Sequence, residues 1–231
     1  MSLPPGQGAV EGFPRFGTHM AYPPPRVLPD HQIAVGGAVA EPFSLSLAAL
    51  ADLPRREVAA DFHCVAGWSA TGLRWEGVPF ARFFESVIEP ALSPGAKITH
   101  VTFQGRDGYR STASLEDVLA DDVLIAEHLD GRPLDGDHGA PVRLVSPRQY
   151  GFISTKHLCR IEVHTAEPEA RYHRNRLNHL GLRLVEPHRR ARVWEEERNG
   201  RLPAWAVRVP YRMLIPPIRA LAARGGGRGR G

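Results

Sequence analysis

Short stretches of alternating apolar and polar residues, cut off from one another by glycine and proline, recur along the first 165 residues of this chain. A period of two puts successive side chains on opposite faces of a strand, so each stretch predicts a half-buried β-strand. Strands are expected over 33–39, where Gly36-Gly37 marks a turn or bulge, and over 44–47, 56–65 and 98–103. Further strands follow over 109–113, 123–128, 142–145 and 158–163. Gly105-Arg106-Asp107-Gly108 carries an Asp-Gly turn signal and joins two of them as a hairpin, and Asp130-Gly131 turns the chain again. The helical period shows best at 80, 83, 84, 87 and 88, apolar positions that share one helix face, with Pro79 at the start and Pro90 beyond the end. Two shorter helices are expected: one over 48–53, stopped before Pro54, and one over 115–119, opened by Ser114 with Asp117 three residues on. No repeat of 20–50 residues is present. The fold class this predicts is α+β, with mixed β-sheets and short helices.

The two ends break the pattern. Pro4-Pro5, Pro14, Pro23-Pro24-Pro25 and Pro29 forbid helix over 1–30 and favour an extended arm. A core domain is expected over 31–165, an arginine-rich extension over 166–224, and a disordered Gly/Arg tail over 225–231. Within the extension, 171–178 is helix-compatible, 180–184 reads as a strand, and 203–217 is apolar with interleaved arginine.

Charge sharpens the division. Residues 1–165 hold 14 Lys and Arg against 19 Asp and Glu, whereas 166–231 hold 15 Arg against 6 Glu. A basic segment on an acidic-leaning body points to an anionic partner such as a membrane surface, a nucleic acid or an acidic protein. The competing reading is a solvated arginine-rich surface. Two cysteines cannot form a disulfide scaffold. Residues 1–10 carry no basic and apolar signal regions, and no run is long enough for a membrane span. A cytoplasmic location is the expectation.

Candidate chemistry begins at Asp61-Phe62-His63-Cys64-Val65-Ala66-Gly67-Trp68-Ser69, where a strand gives way to a Gly/Ser loop. Cys64 can pack, attack, or bind a soft metal as thiolate. His63 is a poor base for it, because neighbours on a strand face opposite ways. A zinc site would need further ligands at metal spacing, and none is present. One protein thiolate suffices only where another molecule supplies the remaining ligands. Cys159 lies inside a strand and reads as core. Further on, His138-Gly139-Ala140-Pro141-Val142-Arg143 and Ser154-Thr155-Lys156 offer hydroxyl, amide, guanidinium and ammonium groups of the kind that hold a phosphate. Each has an ordinary alternative: Arg143 as a buried ion-pair partner, Lys156 as a loop charge, His138 as a turn residue.

Taken together, these segments resemble the molybdopterin-binding domain of the sulfite oxidase family, in its compact bacterial branch, over roughly residues 13–165. The resemblance implies that Cys64 ligates molybdenum and is the catalytic centre's one protein ligand. It implies that His138, Arg143, Ser154, Thr155 and Lys156 hold the pterin and its phosphate, giving a molybdenum–molybdopterin cofactor. Thr18 and His19 look like the family's Asn-His pair, Asp107 falls at another cofactor contact, and Trp68 with Trp75-Glu76-Gly77-Val78-Pro79 looks like the segment shaping the metal pocket. Sulfite oxidases place arginines where this chain has Gly17 and Trp68-Ser69, so the resemblance implies a substrate other than sulfite, such as a sulfoxide or N-oxide. Tyr172 is the nearest candidate for the family's tyrosine near the metal. No cytochrome b5-like domain precedes the core, and the 66 residues after it are too few for the family's immunoglobulin-like domain. The branch includes periplasmic methionine-sulfoxide reductases with a twin-arginine signal, a feature not found here. The expected function is oxygen-atom transfer with a small-molecule substrate and an unidentified electron-transfer partner. Its rival is a non-catalytic binding module of the same fold, its basic tail contacting nucleic acid or membrane.

Overall fold

The computed structural model describes residues 2–15, 23–169 and 187–200, together with 202, 203, 205, 206, 208–210 and 213. Thr18, His19, Tyr172, the segments 171–178 and 180–184 and the 225–231 tail lie outside the described residues.

In chain order the strands are β1 (Gly8–Ala9), β2 (Gln32–Gly37), β3 (Phe43–Ser46), β4 (Arg56–Ala59), β5 (Phe62–His63), β6 (Trp68–Ala70) and β7 (Arg74–Pro79). They continue with β8 (His100–Gly105), β9 (Arg110–Ser114), β10 (Leu124–Leu129), β11 (Arg132–Pro133), β12 (Arg143–Val145) and β13 (Leu158–His164). The helices are α1 (Leu47–Ala51), α2 (Phe80–Phe83) and α3 (Leu115–Val118). Ser46 and Ser114 cap α1 and α3, each accepting a backbone N–H three residues on. Helix α2 runs on into a π turn over Phe84–Ile88; of the five positions the helical spacing places on one face, Phe80, Phe83, Phe84 and Ile88 are buried and Val87 is partly buried against the core.

Three sheets form. One has the order β3-β2-β13-β8-β9, with β2 and β13 parallel. The second has β11-β10-β7-β4, with β12 also paired to β10. The third is small, β1-β6-β5. The main core includes Ile33, Phe80, Phe83, Phe103, Ile125 and Ile161. A second apolar cluster gathers Cys64, Trp68, Trp75, Leu124 and Val145.

Four expectations change. The alternating run 56–65 is not one strand: β4 joins the second sheet and β5 the third. The chain turns at Ala60-Asp61, where Ala60 N–H bonds Leu73 O and the Asp61 carboxylate accepts the Gly72 N–H. The proline-rich arm is not wholly irregular, because β1 pairs in parallel with β6. Cys159 is not core. The register of β13 shifts between Leu158 and Arg160, leaving the thiol half-exposed against Gln104 O. Lastly, packing continues past 165: Ala191 and Val193 are fully buried in the main core, and Val193 N–H bonds Arg148 O.

Among the described residues, several of the extension's arginines are already paired with carboxylates. Arg190 and Arg192 pair with Glu116 and Asp117 of α3, Arg189 with Glu167, and Arg208 with Glu196. At these four arginines the chain's own carboxylates take up the charge.

Candidate functional site

Cys64 follows β5 directly, at the start of the tight connection into β6. Its N–H bonds Trp68 O, and its carbonyl accepts from Gly67 N–H, closing the turn that ends the strand pair. The thiol lines a cavity of about 230 Å³. Five of its lining residues are aromatic: Phe13 from the arm, Phe62, Trp68, Tyr109 and Phe152. Its polar lining is Asp107, Arg143, Ser154 and Lys156. Burial pushes the Cys64 thiol up to about 12. Its neighbour His63 does not serve as a base, since the ring Nδ1 lies 2.8 Å from Ser69 Oγ. A neutral thiol of that kind is a poor nucleophile at neutral pH, and a good ligand only for a metal able to displace its proton.

Arg143 sits at the start of β12 and is fully buried. Its guanidinium donates to the carbonyls of His138 at 2.9 Å, Ser154 at 3.1 Å and Leu144 at 3.3 Å, and lies 5.2 to 6.0 Å from the rings of Trp75, Phe62 and Phe13. Lys156 donates to Asp137 O. Neither cation forms an ion pair among the described residues. Burial pulls Arg143 down to about 9; burial, and then the repulsion of Arg143, pulls Lys156 to about 7. Two buried cations that donate to carbonyls, with the Asp107 and Asp137 carboxylates near Lys156 but none of the described carboxylates within ion-pair distance of either cation, form a receptor for an anion.

The other expected residues divide. Asp107 rims the cavity and accepts Tyr109 N–H through Oδ1. Ser154 lines it, although its hydroxyl already accepts Ser146 N–H, so its carbonyl's tie to Arg143 is its larger contribution. Thr155 does not line it: the hydroxyl is 2.7 Å from Ser111 Oγ, inside the core. His138 stands behind the wall. Its Nδ1 is 2.7 Å from Asp135 Oδ1, its Nε2 is 3.0 Å from Phe13 O, and its ring packs on Phe13. Both ring nitrogens are engaged, so His138 anchors the arm.

Sequence reasoning missed Phe13, Gln7 and Arg198. Phe13 packs on Phe62, Trp68 and Trp75 and covers the cavity from an arm that reads as irregular. An aromatic residue in a proline-rich arm beside a short strand is the one signal that could have flagged it. A larger groove of about 1130 Å³ lies over β8, β9 and β13, but it holds no cysteine, and its arginines pair with carboxylates. Among the described residues, no three His, Cys, Asp or Glu side chains converge as a metal site.

A single thiol and two buried cations without an ion-pair partner among the described residues, all in one cavity, fit a group that brings an anion and most of its own metal ligands. Comparison with known proteins points the same way. The family model described as oxidoreductase molybdopterin binding domain matches residues 19–172. The chain is 32% identical over 156 residues to a protein-methionine-sulfoxide reductase catalytic subunit MsrP of Xanthomonas axonopodis pv. citri, covering 61% of this chain and 47% of that protein. It is 32% identical over 158 residues to the uncharacterized oxidoreductase YuiH of Bacillus subtilis, covering 68% and 76%. The sulfane dehydrogenase SoxCD from Paracoccus pantotrophus superposes with a TM-score of 0.52 at 22% identity, over 61% of this chain and 40% of that one, a likeness of fold. The chain spans about half the length of the MsrP relative. With two thirds of its residues under the family model and its buried thiol and cations gathered in one cavity, the chain belongs to the oxidoreductase molybdopterin-binding domain family, and molybdopterin is its cofactor.

Proposed function

We propose that this protein moves an oxygen atom to or from a small, neutral substrate, a sulfoxide or an N-oxide, and not sulfite. The observation that carries this reading is the cavity's division of labour. Cys64, Arg143 and Lys156 are the groups that would hold metal and pterin phosphate, and the rest of the wall is largely aromatic. When bound, the cofactor supplies the two-electron redox chemistry and the oxygen exchange. The chain's residues do the rest. Cys64 would hold molybdenum as thiolate; Arg143 and Lys156 would fix the phosphate; Phe13, Phe62, Trp68 and Phe152 keep water from the reacting atoms. The Tyr109 hydroxyl donates to Phe152 O at 2.6 Å and fixes that wall.

Among the described residues, no arginine or lysine beyond Arg143 and Lys156 lines the cavity. A sulfite dianion would therefore enter without a cation of its own, whereas a sulfoxide needs none. Reducing a sulfoxide consumes two electrons and two protons and yields a sulfide and water, so the reading includes an external electron donor. The MsrP relative is named for methionine sulfoxide, which supports this substrate class. A cytoplasmic location belongs to the same reading and is supported by two free thiols, Cys64 and Cys159.

The test is protein made in a host that synthesises the cofactor, analysed for molybdenum and assayed with sulfite, a sulfoxide and an N-oxide at low and high salt. Sulfoxide or N-oxide turnover that is insensitive to salt is expected, and Cys64→Ser abolishes it while the protein stays folded. Efficient sulfite oxidation that weakens steeply with salt would overturn the substrate assignment. Wild-type protein without molybdenum would overturn the function.

A further inference from the structure

Arg198 ends a Glu195-Glu196-Glu197-Arg198 run and is nevertheless fully buried. Its guanidinium reaches three parts of the chain. Nη2 donates to Gly6 O at 2.7 Å and to Pro5 O at 3.3 Å, Nη1 approaches Val65 O at 3.4 Å, and Nε donates to Tyr150 Oη at 3.2 Å. Its charge is balanced at a distance by Glu196, 4.0 Å away, which also holds Arg208.

The arm segment pinned by Arg198 presses in turn on the cysteine loop. Gln7 Nε2 donates to Cys64 O at 3.2 Å, and Gln7 Oε1 accepts from Ser69 Oγ at 3.1 Å. Ser69 is the hydroxyl that engages His63. Position 6 is built for the clamp: Gly6 has φ +69°, and a Cβ there would stand 2.7 Å from Arg198 Nη2. An arginine fully withdrawn from water and spent on carbonyls costs desolvation that a surface arginine avoids, so its contacts have to be worth that cost.

We infer that Arg198 is the positioning residue of the metal-binding loop: by holding Val65 O and residues 5–7 it fixes the Cys64 backbone and keeps the thiol facing the cavity. The inference rests on the reading that Cys64 binds the metal. It makes the ligand loop depend on a residue 134 positions later in the chain.

The experiment uses the full chain carrying Cys159→Ser, so that Cys64 is the one thiol, prepared with and without cofactor. Labelling of Cys64 by N-ethylmaleimide in cofactor-free protein is compared with the melting temperature and with molybdenum content. Arg198→Met is expected to label at least about tenfold faster, as losing a contact to a charged group lowers the free energy of local opening. Arg198→Lys restores part of the protection, and Gly6→Ala, which leaves the arginine in place, also labels faster. Molybdenum content falls in Arg198→Met and Gly6→Ala. The control is Val193→Ala, a core truncation in the same segment: it lowers the melting temperature but labels at the wild-type rate. If the Arg198 and Gly6 variants label no faster than Val193→Ala at matched stability, Arg198 is merely structural. Should Arg198→Met fail to fold, Arg198→Lys and Gly6→Ala decide the same question. Wild-type protein without molybdenum sinks the proposed function, yet leaves the labelling comparison intact.

Discussion

Replacing Arg143 with methionine separates a binding site from a structural tie, because the two roles predict opposite balances. Burial alone takes the guanidinium from 12.5 to about 9. At about 1.4 kcal/mol for each tenfold change, the folded cofactor-free protein bears about 5 kcal/mol against the charged form. Methionine removes that penalty, keeps most of the volume and places a sulfur among the rings of Phe13, Phe62 and Trp75. Against this, the carbonyls of His138, Ser154 and Leu144 lose their donor, at about 1–3 kcal/mol each. The two effects nearly cancel, and the stability of cofactor-free Arg143→Met is expected to lie within about 2 kcal/mol of wild type. Cofactor retention does not cancel. Losing a charge-assisted contact to phosphate costs about 1.5–3 kcal/mol, a loss of about tenfold to more than a hundredfold in affinity. Urea unfolding of cofactor-free protein measures the first quantity, and pterin released per mole of protein, read by fluorescence, measures the second. A stability loss above about 4 kcal/mol, or unchanged pterin content, would refute the reasoning.

Lys156 gives a pH signature. Its folded-state pKa is lowered, to about 7 against an ordinary 10.5, so above pH 7 the unfolded chain binds more protons and cofactor-free protein gains stability from this group as pH rises from about 7 to 10.5. Lys156→Met removes that part of the rise, which denaturation at a series of pH values will show. Gly151→Ala puts a Cβ 2.1 Å from the Phe62 ring, which forms the cavity wall, so a loss of about 1–3 kcal/mol in stability and a fall in cofactor content are expected by thermal melting and pterin assay. Phe13→Ala strips the arm of its contacts with Phe62, Trp68 and Trp75; because Phe13 is only half-buried, a loss of about 1–3 kcal/mol is expected, below the full core cost, with faster proteolysis of the first 15 residues.

Most local structure was legible because it is local. The Phe80–Ile88 helix, the hairpin of β8 and β9 and the Ser114 cap depend on residues within a few positions of one another. The break inside 56–65 was not legible. Alternation says which face a side chain takes, but not which sheet the strand joins, and that choice rests on bonds from Ala60 and Asp61 to Leu73 and Gly72. Cys64, Arg143 and Lys156 stood out because a family-like spacing surrounds them, and the fold brings them to one cavity, whereas Thr155, in the same short motif, faces Ser111 in the core. Arg198 left no trace in the sequence. An arginine after three glutamates reads as a solvated charge run, and only carbonyls brought together from residues 5, 6 and 65 turn it inward.

The site's electrostatics explain why such a cavity belongs to a cofactor and not to the protein alone. Burial leaves three ionisable groups around one small space short of their preferred partners: a thiol pushed up to about 12, an ammonium pulled to about 7 and a guanidinium pulled to about 9. In a purely structural core such an arrangement is a standing cost, because a methionine, a leucine and a valine would fill the volume without it. A ligand that brought a phosphate to the two cations and a soft metal to the thiol would relieve all three at once. The anion would offset the burial of Arg143, which at about 9 is already charged at neutral pH, and would draw Lys156 into its charged form, and the metal would ionise the thiol. Proton traffic would follow from the same balance: the thiol would release a proton on binding, and at pH 7 Lys156, about half protonated beforehand, would take up about half of one. Much of the free energy held against the empty cavity is then returned as affinity, so cofactor binding is expected to raise the unfolding midpoint as well as confer activity. A molybdenum-loaded protein that melts at the same temperature as the cofactor-free form would show that the buried charges are not waiting for that ligand.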